Sequence, residues 1–311
     1  MAKITSDDNN EEEEDEEEND ADDDYLNNID EDARVLYVSS NGNDDNSGTS
    51  DEPLASIRKA MGIAGNKEKL VVCISGKITE NVSLCRAGLT IFTGKGSVIG
   101  RVIVKGGGLV LRGKLSLKHK GVDVYSRFIM EGGSVGYTAD CSGVSVNAKG
   151  EFIMKGGRIL KCGNQDRLFG YGAGVYVHSG GNFIMEGGEI KDNASKYGGA
   201  AWVEGLCWML GGDIYDNYSR DGEVDGSKIF YGNEWEGDDL LNIIQEDGTN
   251  LKFFPEEFKT QELCLAAVQQ NCKAIQYVPE KFKTAELCLA AVQQDSRALK
   301  YVPEELKGQM S

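Results

Sequence analysis

Short runs of alternating apolar and polar residues recur through the middle of the chain. The run Phe-Ile-Met-x-Gly-Gly-x-(Ile/Val) begins at Phe128, Phe152 and Phe183, and a degraded copy begins at Cys207. The starts are 24, 31 and 24 residues apart. Alternation with period two is typical of strands, and a repeat of this length indicates a stacked architecture. The sequence therefore predicts a repeat protein built from short β-strands.

Each repeat contains two further short strands. A Gly-Val-x-Val-like run precedes each copy, at 121–124, 143–146, 174–177 and 200–203. A third element follows the Gly-Gly pair, and it ends at Asn193 and Asn217 in the last two copies. Three strands per repeat of about 24 residues predict a parallel β-solenoid whose stacked repeats share one core. We expect glycine corners, an Asn193–Asn217 amide ladder, and a loop within 163–171 that accounts for the longer step.

The segment before these repeats predicts a strand and a capping helix. A strand is expected at 35–40, and a helix at 51–61 with Asp51 near its N-cap and Pro53 in its first turn. An open solenoid end needs a cover, and this helix is the candidate cap. Weaker strand patterns follow at 70–74, 89–92, 102–104 and 109–111.

These residues also carry a resemblance to a known family. The run Leu-Tyr-Val-Ser-Ser-Asn-Gly-Asn-Asp-Asp-Asn-Ser-Gly-Thr-Ser-Asp-Glu-Pro-Leu-Ala-Ser-Ile at 36–57, with the repeat at 174–190, resembles bacterial right-handed parallel β-helix proteins of the pectin-lyase-like superfamily. The resemblance covers about residues 34–235, and the repeat pattern itself resembles the non-enzymatic surface-repeat members of the superfamily. It implies a mainly β fold, a right-handed parallel β-helix with three short strands per rung. Because this fold hosts many unrelated activities, it does not imply one function.

A second, unrelated repeat occupies residues 236–311. The sequence at 254–271 returns 24 residues later at 278–295, and its opening recurs at 302. Each unit predicts a helix with a threonine N-cap, a glutamate two residues later and an apolar stripe. This segment is similar to a family of short bacterial helical repeats of unknown function. We expect a small α-helical repeat tail.

The first 33 residues differ from the rest in composition. Seventeen are Asp or Glu and one is Lys, so this segment carries −16 of the total charge of −18. Such a composition predicts a disordered acidic tail; a lure for a basic partner and a weak calcium-collecting segment are the alternatives. The remaining chain is nearly neutral and has no evident basic stripe, so no nucleic-acid partner is expected.

Sequence signals for the cellular location conflict. The chain has no apolar signal-peptide core at its start and no stretch long enough for a transmembrane segment. Its eight cysteines lack Cys-x-x-Cys spacing and resemble small buried hydrophobic residues, which favours the cytoplasm. The family resemblance favours the cell surface or secretion. Both locations remain open.

Candidate chemistry is sparse. One carboxylate cluster recurs in two consecutive repeats and predicts a weak Ca²⁺ site, with a solvated acidic edge as the alternative: Glu189, Asp192, Asp213 and Asp216. The two histidines, His119 and His178, lack a catalytic motif and are interpreted as surface turn residues. No phosphate-binding loop, zinc spacing or nucleophile elbow is present in the sequence.

The outward positions of the strands are more informative. Alternation directs one apolar residue of each Phe-Ile-Met run away from the core, forming a docking stripe of Ile129, Ile153, Ile184 and Trp208. Either the helical repeats fold back over this stripe or a partner covers it; ordinary β-branched filler is the third interpretation. On another face, Tyr176 and Trp202 form a candidate platform for a sugar or a protein hot spot. Packing beneath the 163–171 loop is the alternative.

These patterns favour a non-catalytic binding or scaffold protein that recognises a glycan or a protein partner on the outer faces of its β-helix. The alternative is a carbohydrate-active enzyme, a polysaccharide lyase or hydrolase. An enzyme needs a cleft and an acid/base set, and the only candidate cluster lacks a basic residue in phase. A third hypothesis makes the helical repeats a docking element and the β-helix a spacer.

Overall fold

The computed structural model describes residues 32–163, 170–219, 224–226, 229–231 and 237–308. This part of the chain is mainly β with parallel sheets, followed by short helices. The predicted acidic tail up to residue 31, and positions 164–169 of the predicted loop, lie outside the described residues.

The strands are short, in keeping with the short alternating runs of the sequence. They are β1 (Arg34–Ser39), β2 (Leu70–Ser75), β3 (Lys77–Thr79), β4 (Val82–Leu84), β5 (Leu89–Gly94), β6 (Ser97–Val104), β7 (Gly108–Leu111), β8 (Ser116–Val124), β9 (Arg127–Met130), β10 (Ser134–Gly136), β11 (Val144–Val146), β12 (Glu151–Met154), β13 (Arg158–Leu160), β14 (Val175–Val177), β15 (Asn182–Met185), β16 (Glu189–Lys191), β17 (Ala201–Val203), β18 (Leu206–Met209), β19 (Asp213–Tyr215), β20 (Val224–Gly226) and β21 (Ile229–Tyr231).

Two sheets contain these strands. From β9 to β18, each strand of the first sheet is followed along the chain by two strands of the second. The first sheet has the order β1-β2-β5-β7-β9-β12-β15-β18-β21. The second has the order β19-β16-β13-β10-β8-β11-β14-β17-β20, with β6 pairing β8 and with β3 and β4 pairing β6. The Phe-Ile-Met runs align residue for residue, because Phe128 pairs with Phe152 and Phe152 with Phe183. Each strand is thus bonded to its counterpart one repeat away, as the repeat predicts.

The core lies between the sheets and is built of ladders. The rings of Phe128 and Phe152 stack at 5.0 Å with planes 12° apart, and those of Phe152 and Phe183 at 5.0 Å and 6°. All three are fully buried. Register and burial together confirm that the phenylalanines face the core.

The corners follow the predicted chemistry. In the four Phe-Ile-Met runs, the second glycine of the Gly-Gly pair has a φ between 72° and 90°, a region that favours glycine. At the next corner, the buried Asn193 Nδ2 donates to Asn217 Oδ1 at 2.9 Å and to the Ile159 carbonyl at 3.1 Å. Asn193 Oδ1 accepts from the Cys162 amide at 3.0 Å. The predicted amide ladder is therefore confirmed.

The N-terminal helix is shorter than predicted. Helix α1 spans Ile57–Ile63 and has Ser56 as its N-cap, so Asp51 as the cap is wrong. Leu54 instead forms an isolated parallel bridge with Val38, which keeps the residues before the helix extended. The carboxylate of Glu80 accepts from the Ile57 and Arg58 amides at 2.8 and 3.0 Å, satisfying the first turn.

The C-terminal segment is helical, as its repeat predicts. Its α-helices are α2 (Gly237–Glu246), α3 (Gln261–Gln270), α4 (Ala285–Gln294) and α5 (Glu304–Lys307). Its 3₁₀-helices are Gly248–Phe253, Glu256–Phe258, Cys272–Tyr277, Glu280–Phe282 and Ser296–Tyr301. Thr260 and Thr284 cap α3 and α4 by accepting from the Leu263 and Leu287 amides, which confirms the predicted N-caps.

Candidate functional site

The docking stripe occupies the outer face of the first sheet. Ile129, Ile153, Ile184 and Trp208 are direct register partners on β9, β12, β15 and β18. Ile153 and Ile184 are buried, Trp208 is fully buried, and Ile129 is partly buried. Period-two alternation therefore predicts their outward direction correctly, and something covers them.

The cover is the C-terminal helical segment of the same chain. Trp208 stacks on Phe258 at 5.6 Å with planes 21° apart and meets Phe254 edge-on at 5.1 Å. One apolar cluster joins the stripe to α2, α3, α4 and the intervening 3₁₀-helices. Burying a large apolar side chain contributes about 1.5–3 kcal/mol, so this contact holds the helices on the sheet. The stripe is thus a structural contact within the chain.

A charged residue borders this covered face. Glu151 on β12 pairs with Arg127 at 2.8 Å. Burial raises the pKa of Glu151, while the positive charges of Arg127, Lys252 and Lys259 oppose that shift. Two of these cations belong to the helical segment, so the rim of the contact is charged and its centre is apolar.

The aromatic platform lies on the second sheet and is larger than predicted. Tyr176 and Trp202 are register partners on β14 and β17, and both are half-buried. Tyr171 packs against Trp202 at 4.6 Å and lies 6.4 Å from Tyr176. Tyr197 stacks on Tyr171 at 5.0 Å and lies 5.9 Å from Trp202. Tyr171, Tyr176, Tyr197 and Trp202 together form the aromatic cluster.

Polar groups fix the orientation of the two strand aromatics. The Tyr176 hydroxyl donates to Glu204 Oε1 at 2.8 Å, and Trp202 Nε1 donates to the same oxygen at 3.4 Å. Desolvation raises the pKa of Tyr176 to about 12, and the hydrogen bond to Glu204 and the negative charge of Glu204 act in the same direction. The phenol therefore stays protonated and remains a hydrogen-bond donor at neutral pH.

A cleft of about 590 Å³ opens beside the aromatic cluster. Ligand pockets span about 300–1,000 Å³, so its size suits a small ligand or a segment of a polymer. Tyr171 and Tyr176 contribute apolar wall, and the polar lining includes Arg101, Lys120, Asp123, Asp140, Ser145, His178 and Ser195. Arg101 and Asp123 form an ion pair at 2.9 Å, so the cleft has little net charge from that pair.

His178 belongs to this cleft. Its ring stacks on Tyr176 at 4.0 Å, and its Nε2 lies 2.9 Å from Ser145 Oγ. The sequence predicted that His178 follows β14 at a turn, and the structure places it directly after that strand. The prediction missed that Ser145 and Tyr176, on neighbouring strands, hold the imidazole beside a cleft.

Sequence reasoning also missed Tyr171 and Tyr197. A parallel bridge joins them, so they are equivalent residues of successive repeats. The signal was a second short motif, Tyr-Gly-x-x-x-(Tyr/Trp), at 171–176 and 197–202. Its two copies are 26 residues apart, whereas the runs that follow them, at Phe183 and Cys207, are 24 apart, so the motif is out of phase with the obvious repeat.

The four carboxylates of the Ca²⁺ hypothesis do not assemble into a metal-binding group. Glu189 and Asp213 are neighbours on β16 and β19, but Glu189 Oε2 is engaged by Lys191 Nζ at 3.2 Å and by the Tyr215 hydroxyl at 3.1 Å. Asp192 and Asp216 lie past the strand ends with φ of 55°. Over the described ranges, no three His, Cys, Asp or Glu side chains are grouped to hold a metal ion.

Comparison with known proteins identifies only the C-terminal segment. It matches the family described as Domain of unknown function (DUF4116) over residues 239–283 and again over 260–307. Neither curated proteins nor solved structures gave a match to the chain. In the described part of the chain, no helix is long and apolar enough to cross a membrane.

Proposed function

We propose that this protein is a non-catalytic binding module whose aromatic cluster and adjoining cleft take a glycan. The β part would be a right-handed parallel β-helix of the pectin-lyase-like kind. Parallel pairing between strands one repeat apart and the stacked phenylalanines support that architecture. The C-terminal helical repeats would stabilise it by covering one sheet.

The observation that carries the proposal is the grouping of the aromatic cluster beside a polar cleft. Pyranose rings have an apolar face and a rim of hydroxyls, so they bind to flat amphipathic rings with hydrogen-bonding groups close by. Trp202 and Tyr171 supply ring surface, and Ser145, Asp140 and His178 supply polar groups on the cleft wall. The docking stripe is already covered, which leaves this face as the more accessible aromatic surface.

A glycan array probed with the full chain tests this function. The Trp202→Ala variant should lose roughly tenfold in affinity for whichever glycan is retained, because it removes half of the strand platform. Tyr215→Ala removes another exposed aromatic residue, on β19, and serves as the matched control. Binding that is unaffected by Trp202→Ala, or no glycan retained at all, would reject the glycan proposal. A protein captured in a Trp202-dependent way would redirect it to a protein hot spot.

A second candidate, a carbohydrate-active enzyme, has one observation in its favour. Asp123 and Asp140 line the same cleft, and glycoside hydrolysis commonly uses two carboxyl groups. The test is release of reducing ends or unsaturated products from a polysaccharide panel, with and without Ca²⁺. Activity abolished by Asp140→Asn would favour the enzyme over the binding module.

A further inference from the structure

A second groove, distinct from the aromatic cleft, lies across β3, β6, β8, β10 and β13 of the second sheet. Its volume is about 610 Å³, and its lining contains five basic residues and no acidic one. The basic residues are Lys77, Lys95, Lys114, Lys118 and Arg158. The folded body was expected to lack a basic stripe. That expectation is wrong, because the fold brings these five basic residues together even though the net charge of the body is small.

The strand register explains how residues distant in sequence become neighbours. Lys77 pairs with Ser97, Ser97 with Ser116, Ser116 with Ser134, and Ser134 with Arg158. Neighbouring strands lie about 4.8 Å apart, so Lys77 and Arg158 are separated by roughly 19 Å. A row of three serines connects the two cations, and Ser116 Oγ and Ser134 Oγ are 2.8 Å apart.

The floor of the groove is backbone and hydroxyl. Its lining includes five corner glycines, among them Gly76 and Gly96. A Cβ at Gly96 would lie 2.4 Å from the Gly76 carbonyl oxygen, so a side chain cannot replace this glycine without a shift of the backbone. Long basic side chains therefore stand beside a smooth floor that an extended chain could lie along.

Two carboxylates at the border of the groove have polar partners of their own. Glu131, next to the corner glycines, pairs with Arg112. Glu189, the register neighbour of Arg158, bonds to Lys191 Nζ and the Tyr215 hydroxyl, and it also feels the positive charge of Arg158. With five basic residues and no acidic one in its lining, the groove presents a local positive potential in a body that is nearly neutral, a distribution that attracts anionic chains.

We propose that this groove binds an acidic peptide and that its occupant is the N-terminal segment of the same chain, residues 7–24. Fourteen of these eighteen residues are Asp or Glu and none is Lys or Arg. The strongly acidic segment and the basic groove are thus complementary parts of one sequence. Basic and hydroxyl side chains both donate hydrogen bonds to carboxylates.

The connecting chain is long enough. The described chain begins at Asp32, and β1 runs parallel to β2, so its end at Ser39 lies beside Ser75, two residues before Lys77. Strand β1 spans roughly 20 Å. The eight residues from 24 to 32 can extend over about 26 Å, enough to return along this strand to the groove.

Carbodiimide crosslinking followed by mass spectrometry tests the proposal on the full chain. This reagent joins a carboxylate to an amine that it already touches. At low salt, we expect the acids of residues 7–24 to crosslink mainly to the groove lysines 77, 95, 114 and 118. The crosslinked species should be monomeric, and its yield should fall steeply at 1 M salt, where the Debye length is only about 3 Å.

A charge-reversal variant identifies the surface. Lys77→Glu with Lys114→Glu changes two exposed groove residues and should reduce the yield of crosslinks to Lys95 and Lys118 by about tenfold, because repulsion replaces attraction at two sites. Lys67→Glu with Lys273→Glu makes the same charge change at exposed lysines outside the groove and should leave the yield unchanged.

Three results would overturn the proposal. The first is crosslinks spread evenly over the lysines of the chain, and the second is a yield that the groove variant does not reduce. The third is crosslinked dimers in place of monomers, which would assign the segment to a second copy. None of these results bears on glycan binding by the aromatic cluster, so the two proposals fail separately.

Discussion

The outer faces of the two sheets make opposite use of large outward-pointing side chains. On the first sheet, Ile153, Ile184 and Trp208 are buried beneath the C-terminal helical segment. On the second sheet, Tyr176 and Trp202 occupy register positions of the same kind and remain half-buried beside a cleft. Alternation along a strand therefore tells which side chains leave the core, and the rest of the chain decides which of them meet water.

The chemistry of the side chains matches this difference. Isoleucine has no polar atom, and a continuous apolar stripe is stable only when it is covered. Tyr176 and Trp202 each carry a donor, and both donors reach Glu204. An aromatic ring with a satisfied polar end tolerates partial exposure, which keeps it available to a ligand.

The largest expected effect separates the two tryptophans. Trp208→Ala should lower the free energy of unfolding by about 3–5 kcal/mol, because it leaves a cavity between sheet and helices. Trp202→Ala should cost about 1 kcal/mol or less, since that ring is already partly in water. Denaturant unfolding followed by far-UV circular dichroism measures both. Equal costs for the two substitutions would erase the distinction between the faces.

A second prediction concerns the corner that supports the open face. Asn193→Ala should cost about 2 kcal/mol, because it leaves the buried Cys162 amide without its side-chain acceptor and removes two donated bonds. Asn147 donates one 3.3 Å bond to a nearby carbonyl, so Asn147→Ala is the mild control. Hydrogen exchange should increase around Ala194 and Ser195, which line the cleft, and stay constant at the covered stripe. Uniform change across both faces would contradict the local role of this corner.

Local patterns predicted much of this fold and little of the site. The strands, Gly-Gly corners, amide ladder and threonine caps depend on neighbours within one repeat or one helical turn, so the sequence carries their signals directly. Helix α1 starts later than predicted because partners distant in sequence fix its start: Leu54 bridges to Val38, and Glu80, 23 residues away, accepts from the Ile57 amide. The basic groove escaped notice because its cations come from several repeats, and only the register brings them together.

A third prediction uses pH to probe the rim of the covered face. Burial raises the pKa of Glu151 despite its ion pair with Arg127, so folding disfavours the ionised carboxylate relative to the unfolded chain. The contribution of Glu151 to stability is therefore greatest in acid. It declines as the pH rises from the ordinary glutamate pKa through the raised pKa of the folded protein. Glu151→Gln should remove that part of the decline in melting temperature at pH values above the ordinary glutamate pKa. If the melting temperatures of variant and wild type changed in parallel with pH, the Glu151 carboxyl would be exposed to solvent and this prediction would be wrong.

The smallest effect concerns the open face. Tyr176 should titrate near pH 12, above its ordinary pKa of 10.0. Glu204→Gln removes the charge of the acceptor, so it should lower the pKa of Tyr176 toward the ordinary value with little change in stability. Difference absorbance of the phenolate, corrected with a Tyr176→Phe variant, measures the shift. An unchanged titration would mean that the Tyr176–Glu204 bond does not form in solution.

The most direct test of the central claim, that the protein covers one face with its own helices and leaves the other accessible, is acrylamide quenching of single-tryptophan variants of the full chain. A variant retaining only Trp208 should show blue-shifted, poorly quenched emission, and adding Phe258→Ala should increase its quenching. A variant retaining only Trp202 should be readily quenched. Equal quenching of the two tryptophans, or no response of Trp208 to Phe258→Ala, would contradict the account.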